Sequence, residues 1–129
     1  MTALLKTSHS SPLRIAETSV SPLDGRLGLT LCPGKKDRSQ GWGRDLATDV
    51  RAIRNWGATT VLTLIEEHEF PLLAIETLAE EVRRCGMDWL HLPIRDVDIP
   101  DERFEQAWKV SGPAIHERLD AGQRVLIHC

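Results

Sequence analysis

The sequence predicts a single α/β domain with a mostly parallel sheet flanked by helices. Three stretches share one plan, in which a helical segment ends at a glycine and an apolar run follows within three residues: NWGATTVLTLI, RCGMDWLHLPI and DAGQRVLIHC. Strands that alternate with helical segments are typical of parallel sheets, because each helix crosses over to the next strand. With 129 residues, of which 41% are hydrophobic and 27% charged, the chain has enough material for one core.

The first elements follow in order from the N-terminus. Residues 1–22 are rich in Ser, Thr and Pro and have no sustained period, which predicts a flexible leader, with at most a short ordered piece at its end, before a domain over residues 23–129. RLGLTL then predicts a short strand that ends at the Pro-Gly turn of CPGKKD. Apolar residues at i, i+4 and i+7 from Leu46 predict the first helix, with Gly57 as its left-handed C-cap. The β-branched run TTVLTLI predicts a buried strand.

The second half repeats this order of elements. PLLAIETLAEEVRRCG predicts a helix that begins at Pro71 and ends at Gly86, MDWLHLPI a strand, and RDVDIPD a loop. A third helix is predicted from an N-cap at Asp101 to a C-cap at Gly122, and the Gly-Pro pair at residues 112–113 should kink or break it. Its apolar face consists of Phe104, Trp108, Ile115 and Leu119. The final run, QRVLIHC, predicts the last strand.

Composition and charge exclude several classes of partner and location. The formal net charge of −3 provides no basic field for nucleic acid, and no apolar stretch approaches the length of a membrane-spanning helix. We therefore expect no nucleic-acid partner, no membrane and no signal peptide. The three cysteines are odd in number and widely spaced, which argues for a reducing, cytoplasmic compartment. Neither the cysteines nor the five histidines have the spacing of a metal site, so no metal is expected.

Cys129 is the first candidate for chemistry, because ligands of parallel sheets bind beyond the carboxyl ends of the strands. It directly follows the apolar run VLIH. Backbone N–H groups of a loop at such a strand end can activate a thiol and cradle a phosphate. Inert core thiols are also common, so the residues alone leave a nucleophile and a structural cysteine equally open. Cys32 and Cys85 are interpreted as structural.

Asp96 and His128 are the other two candidates. A thiolate that attacks a phosphate ester needs an acid for the leaving oxygen, and a carboxyl on the neighbouring strand-end loop could supply the proton. Asp96, Asp98 and Asp101 are equally typical of loop, turn and cap positions, the role that composition alone favours. His128 is either a satisfied core histidine or a group that orients the thiol.

Four stretches, in order along the chain, resemble the cysteine-dependent protein tyrosine and dual-specificity phosphatases: LGLTLCPGKKD, RDLATDVRAIRNWGATTVLTL, HLPIRDVDIPD and RVLIHC. The last resembles the beginning of the family's signature, in which His-Cys is followed by five residues and an Arg. The ordered set covers residues 26–129 and is similar to the branch typified by the cyclin-dependent-kinase-associated phosphatase and its bacterial relatives. The resemblance implies a phosphatase-like fold that hydrolyses a phosphorylated protein or a small phosphomonoester without a cofactor.

Carried over by position, the resemblance implies Cys129 as the nucleophile of a cysteinyl-phosphate mechanism. It also implies Asp96 as the general acid and His128 as the signature histidine that supports the thiolate. Where the family usually has Pro or Ala before this aspartate, the sequence has Arg95, so Asp98 and Asp101 stay open as alternatives.

The family's phosphate-binding loop, with the Arg that clamps the phosphate, follows the signature cysteine. The resemblance therefore implies that residues 23–129 are the N-terminal portion of a phosphatase domain whose C-terminal part is missing, and that this portion is inactive alone.

Two other functions stay open from the sequence. A rhodanese-like sulfurtransferase also places a catalytic cysteine directly after an apolar strand of an α/β fold, although LPIRD favours the phosphatase. A non-catalytic pseudophosphatase fragment is the second alternative. The sequence indicates neither the particular substrate nor the oligomeric state.

Overall fold

The computed structural model describes residues 5–19, 24–94 and 102–129. Seven strands are present in this part of the chain: β1 (Ala16–Ser19), β2 (Arg26–Thr30), β3 (Lys36–Asp37), β4 (Trp42–Gly43), β5 (Ala58–Thr63), β6 (Asp88–His91) and β7 (Arg124–His128). Five of them form the main sheet in the order β1-β2-β7-β5-β6, while β3 and β4 form a separate ribbon. β7 pairs in parallel with both β2 and β5, β5 pairs in parallel with β6, and β1 lies antiparallel at the edge. The predicted α/β fold with a mostly parallel sheet is therefore confirmed.

Within the described ranges, four α-helices flank this sheet: α1 (Leu46–Trp56), α2 (Glu69–Leu72), α3 (Leu78–Arg84) and α4 (Glu102–Asp120). α1 forms as its period predicts, since Leu46, Val50 and Ile53 are all buried. Its N-terminus is capped by the side chain of Asp45, which accepts a hydrogen bond from the backbone N–H three residues later. Gly57 ends it with φ = 106°, in the left-handed region where a side chain would be strained.

The core has two parts, one on each face of the sheet. On one face, Val61 and Leu126 pack with the buried residues of α1 and α3. On the other face, their strand neighbours Leu62 and Val125 pack with Ile115 of α4. Neighbouring residues of a strand point to opposite faces, so a strand covered on both sides must be apolar throughout. This explains why Val61 and Leu62 in β5 and the run VLI in β7 are apolar, and each such side chain contributes roughly 1.5–3 kcal/mol when fully buried.

The single helix predicted from Pro71 to Gly86 is wrong, because two helices and a turn occupy this stretch. Ala74 has φ = 56°, the left-handed conformation that a non-glycine residue adopts only at a cost. The turn lets the backbone N–H of Ile75 donate to the carbonyl oxygen of Phe70 and leaves the Ile75 side chain fully buried. Burial of one large side chain thus outweighs the helical preference of the segment.

α4 continues through Gly112 and Pro113, so the predicted break does not occur. Gly112 is buried against the indole of Trp108, and a Cβ atom there would lie 2.8 Å from the Trp108 Cε2 atom. The glycine therefore makes room for the ring, while the exposed proline costs one hydrogen bond of the helix. Of the predicted apolar face, Ile115 and Leu119 are buried and Trp108 is exposed. The Phe104 side chain and the predicted N-cap at residue 101 lie outside the described residues.

Residues 5–19 lie within the segment expected to be a flexible leader, and they contact the domain. β1 pairs with β2 along four residues, and the backbone of Lys6 exchanges hydrogen bonds with Gly41 and Gly43. The hydroxyl of Ser8 donates to the carboxylate of Asp49 at 2.8 Å. Asp49 is 1% exposed and accepts further bonds from the Arg44 guanidinium and a backbone N–H. A buried carboxylate needs such donors, which gives this segment a reason to pack here.

Candidate active site

Cys129 directly follows β7, the central strand, and is exposed. The neighbouring strands β2 and β5 run in the same direction, with Thr30 and Thr63 in register with His128. The carboxyl ends of three parallel strands therefore meet at the thiol. This is the edge at which ligands of parallel sheets are expected.

His128 is buried beneath this edge, with 1% of its surface exposed. Its Nε2 atom lies 2.7 Å from Oγ1 of Thr63, and the same Oγ1 atom accepts a hydrogen bond of 2.8 Å from the indole N–H of Trp89. The pKa of His128 is lowered to about 4, chiefly by burial and secondly by His91, although the backbone of Cys129 acts in the opposite direction. The imidazole is therefore neutral at physiological pH, so it does not act on the thiol as a cation.

An aromatic cluster of Phe70, Trp89 and His91 lies next to Thr63 and His128. The Trp89 and His91 rings stack with centroids 5.3 Å apart, and Phe70 meets both of them edge-on. The Nε2 atom of His91 lies 2.6 Å from the carbonyl oxygen of Ile65, just past β5. These contacts tie β6 to the end of β5 and hold the indole N–H in place.

Thr63, Trp89 and His91 are site residues that the sequence patterns did not single out. Two signals were nevertheless present. Trp89 and His91 are two apart in WLH, so they share one face of β6, and Thr63 places a hydroxyl directly after the apolar pair Val61 and Leu62.

Cys32 lies on the β2 side of the site and is buried. Burial raises the pKa of its thiol to about 12, Lys35 opposes that rise, and Cys129 adds to it. The two cysteines are thus near enough to interact electrostatically. Cys32 stays a protonated thiol at neutral pH, which agrees with its interpretation as a structural cysteine.

A basic cleft of about 320 Å³ lies on the β2 side of the sheet. Leu31, which directly follows β2, is among its lining residues. The ammonium groups of Lys6 and Lys35 lie 4.9 and 5.5 Å from the centroid of the Trp42 ring. Arg14 also lines the cleft. Positive charge is therefore concentrated around this cleft although the chain as a whole is acidic.

Asp96 lies outside the described residues, as do Arg95, Asp98 and Asp101, so its role as the acid stays a prediction. Pro93, which precedes this segment in the sequence, lines a cavity of about 390 Å³ together with residues 66–68. These residues follow β5 and β6, at the edge of the sheet where the sequence predicts functional groups.

The described residues contain no group of three or more His, Cys, Asp and Glu side chains arranged to hold a metal ion. In the same residues, no helix has the length and apolar character needed to cross a membrane.

The structure is similar to two solved phosphatases. It superimposes on the kinase-associated phosphatase, crystallised with its catalytic-site cysteine replaced by serine, with a TM-score of 0.79 and 22% identity over 92% of this chain and 65% of that chain. Tk-PTP in its active form gives a TM-score of 0.57 and 26% identity over 85% of this chain and 63% of that chain. The chain thus spans a little under two thirds of each. No protein-family profile and no curated protein matches the sequence. These comparisons show that the chain has the α/β fold of the tyrosine and dual-specificity phosphatases.

Proposed function

We propose that this chain is the N-terminal portion of a phosphomonoester hydrolase of the protein tyrosine and dual-specificity phosphatase family. The observation that carries the proposal is the position of Cys129, exposed and directly after the central strand. The kinase-associated phosphatase, which shares this fold, has a catalytic cysteine. The four ordered stretches of the sequence support the branch to which that phosphatase belongs.

In the proposed reaction, the Cys129 thiolate attacks the phosphorus of the substrate, forming an S–P bond as the P–O bond to the leaving group breaks. Asp96 gives its proton to the leaving oxygen. Water then attacks the cysteinyl-phosphate, returns a proton to Asp96, releases inorganic phosphate and restores the thiolate. His128 contributes as a neutral, buried group beside the thiol.

The proposed substrate is a phosphorylated protein or a small phosphomonoester. Since the net charge of the chain is −3, local cations rather than the overall field must attract the dianion. Lys35 and the basic cleft provide such cations on the β2 side. We also propose a cytoplasmic location, because all three cysteines are free thiols, as a reducing compartment would keep them.

By the resemblance, the phosphate-binding loop and its Arg come after Cys129. Preorganised donors of this kind usually contribute more than any other group to stabilising the transition state. We therefore expect little or no turnover from the 129 residues alone and full turnover from a chain that includes the loop.

The test is an assay of p-nitrophenyl phosphate hydrolysis with this chain and with a longer chain that continues through the codons downstream of codon 129. Activity of the longer chain should disappear in Cys129→Ser and persist in the matched control Cys85→Ser. A longer chain that is inactive and has no Arg six residues after Cys129 would refute the proposal. Transfer of sulfur from thiosulfate to cyanide by that chain would establish the rhodanese-like alternative instead.

A further inference from the structure

We propose that the basic cleft is a phosphate-binding site separate from Cys129, and that it holds a second phosphate group of a phosphorylated protein substrate. The second part of the inference rests on the proposed function, because it requires that the same protein also reaches Cys129. Binding in the cleft can be measured without any turnover.

Three cations at the cleft have no counter-ion. Lys6 and Arg14 line it, and the ammonium group of Lys35 lies against an aromatic ring of its wall. Among the described residues, none of these three side chains forms an ion pair with an Asp or Glu. Arg44 also lines the cleft, but it is already paired with Asp49. Like charges gathered without an anion repel each other, so an anion that binds between them relieves this repulsion.

The backbones that carry the three cations are fixed by hydrogen bonds. The backbone of Lys6 is bonded to the residues on both sides of Trp42. The carbonyl oxygen of Lys35 accepts a bond from the first backbone N–H after β4. The carbonyl oxygen of Arg14 accepts a 2.7 Å bond from the hydroxyl of Thr30, at the end of β2. The positive charges are therefore held together before a ligand arrives, which lowers the entropic cost of binding.

The number of cations and the size of the cleft favour a phosphate group over a carboxylate. A phosphorylated side chain carries a charge of about −1.5 to −2 at pH 7 and has three strong acceptor oxygens, whereas a carboxylate carries a single charge. Ser10 and Ser11 also line the cleft, and a serine hydroxyl can donate to such an oxygen. The volume of about 320 Å³ is near the lower limit of ligand pockets, which is roughly 300 Å³, so the cleft fits one small group.

The cleft begins at the same edge of the sheet as Cys129. Leu31, which lines the cleft, directly follows β2, and the last residue of β2 pairs with the last residue of β7. Neighbouring strands lie about 4.8 Å apart, so β2 borders both the cleft and the strand that precedes Cys129. Lys35 and Cys129 also both interact electrostatically with Cys32, which agrees with this arrangement. A ligand that occupies both places must be extended, which favours a protein segment over a small phosphomonoester.

The experiment is a titration of the full 129-residue chain, followed by the indole ¹H–¹⁵N NMR signal of Trp42. Trp42→Phe identifies that signal. The probes are a peptide with one phosphoserine, the same peptide with an unmodified serine, and inorganic phosphate. We expect a saturable shift with the phosphopeptide, no shift with the unmodified peptide and weaker binding of inorganic phosphate. Added sodium chloride should weaken the binding of the phosphopeptide, because salt screens exposed charges.

Single substitutions test the three cations. Lys6→Gln, Arg14→Gln and Lys35→Gln should each weaken binding of the phosphopeptide about three- to tenfold, the factor expected for one charge-assisted hydrogen bond at a partly exposed site. Lys109→Gln is the matched control, since it removes the same charge from the exposed surface of α4. Lys35→Arg keeps the charge and should retain binding.

A longer, active chain tests the assignment to the substrate. A peptide with two phosphate groups should have a lower KM than the same peptide with one, and Lys35→Gln should remove most of that difference. Equal KM values for the two peptides would overturn this assignment. Binding of inorganic phosphate as tightly as the phosphopeptide would overturn it as well, because the cleft would then be a site for free phosphate.

The phosphate site itself would be overturned if Lys6→Gln, Arg14→Gln and Lys35→Gln all bound the phosphopeptide like Lys109→Gln. Equal binding of the phosphorylated and unmodified peptides would overturn it too. Lack of phosphatase activity in a longer chain would count against the proposed function and leave the measured affinities of the cleft unchanged.

Discussion

Oγ1 of Thr63 lies 2.7 Å from Nε2 of His128, across the parallel ladder between β5 and β7. The two residues are 65 positions apart in the sequence, and both are buried. One short contact therefore links β7, the strand that precedes Cys129, to its neighbour in the sheet.

This contact predicts a difference in stability between two threonine variants. Thr63→Val leaves Nε2 of His128 and the indole N–H of Trp89 without partners, so the free energy of unfolding should fall by about 1–3 kcal/mol. Thr60→Val removes a hydroxyl that is already unpaired, so its stability should be unchanged or higher. Urea denaturation of both variants measures the difference. An equal loss of unfolding free energy in the two variants would show that the hydrogen bonds of Thr63 contribute nothing to stability.

The buried histidine predicts a loss of stability in mild acid. Its pKa is about 4 in the folded chain and near 6.5 when unfolded, so between these values only the unfolded chain takes up the proton. The contribution of His128 to the free energy of unfolding should be complete above about pH 6.5 and should fall by roughly 3 kcal/mol as the pH drops to about 4.

Denaturation curves at several pH values, with His128→Asn and the exposed His9→Asn compared, test this assignment. Across that acid range, the His9 variant should keep the pH dependence of the wild type, and the His128 variant should lose most of it. A steep dependence that survives in His128→Asn would assign it to other groups.

The ion pair between Arg44 and Asp49 predicts a large effect for a single substitution. Both side chains are 1% exposed, and their closest atoms are 2.7 Å apart. Asp49→Ala leaves a buried guanidinium without its carboxylate, which should cost about 3–5 kcal/mol. Glu81→Ala breaks an ion pair of similar length whose Arg84 side chain is 70% exposed, and should cost at most about 0.5 kcal/mol. Thermal or urea unfolding of both variants checks the contrast, which similar losses would contradict.

The cysteines predict a selective pattern of alkylation. Cys129 is exposed, whereas Cys32 is buried with its thiol pKa raised to about 12. In the folded chain at neutral pH, iodoacetamide should modify Cys129 and leave Cys32 unmodified, while both should react in urea. Peptide mass spectrometry reads out each site. Modification of Cys32 in the native chain at the rate of Cys129 would contradict the burial of its thiol.

Local patterns were sufficient for some elements of the fold and not for others. Gly57 and the apolar residues from Leu46 define α1 because helical period and C-capping act over a few residues. The break between Phe70 and Ile75 could not be predicted from the local period, because it depends on a core formed by distant strands. Pro113 predicts the end of a helix, yet α4 tolerates it.

For the candidate site, the alternation of strands and helices in the sequence correctly placed Cys129 at the carboxyl edge of a parallel sheet. It could not identify Thr63 or Trp89, because their contacts depend on the register of three strands. The spacing of Trp89 and His91 places the two side chains on one face of β6, but it does not show which residue of β5 they contact. Asp96 stays a prediction from resemblance.

The N-terminal strand β1 limits where a truncated version of this domain can begin. β1 covers the backbone of β2, whose other side is already paired with β7. Removal of residues 1–22 would therefore delete Ser8 and turn β2 into an open edge strand, a surface on which a second molecule can add its own strand. The Ser- and Thr-rich segment therefore prevents β2 from pairing with a strand of a second molecule. Shortened versions of the protein should begin before Lys6.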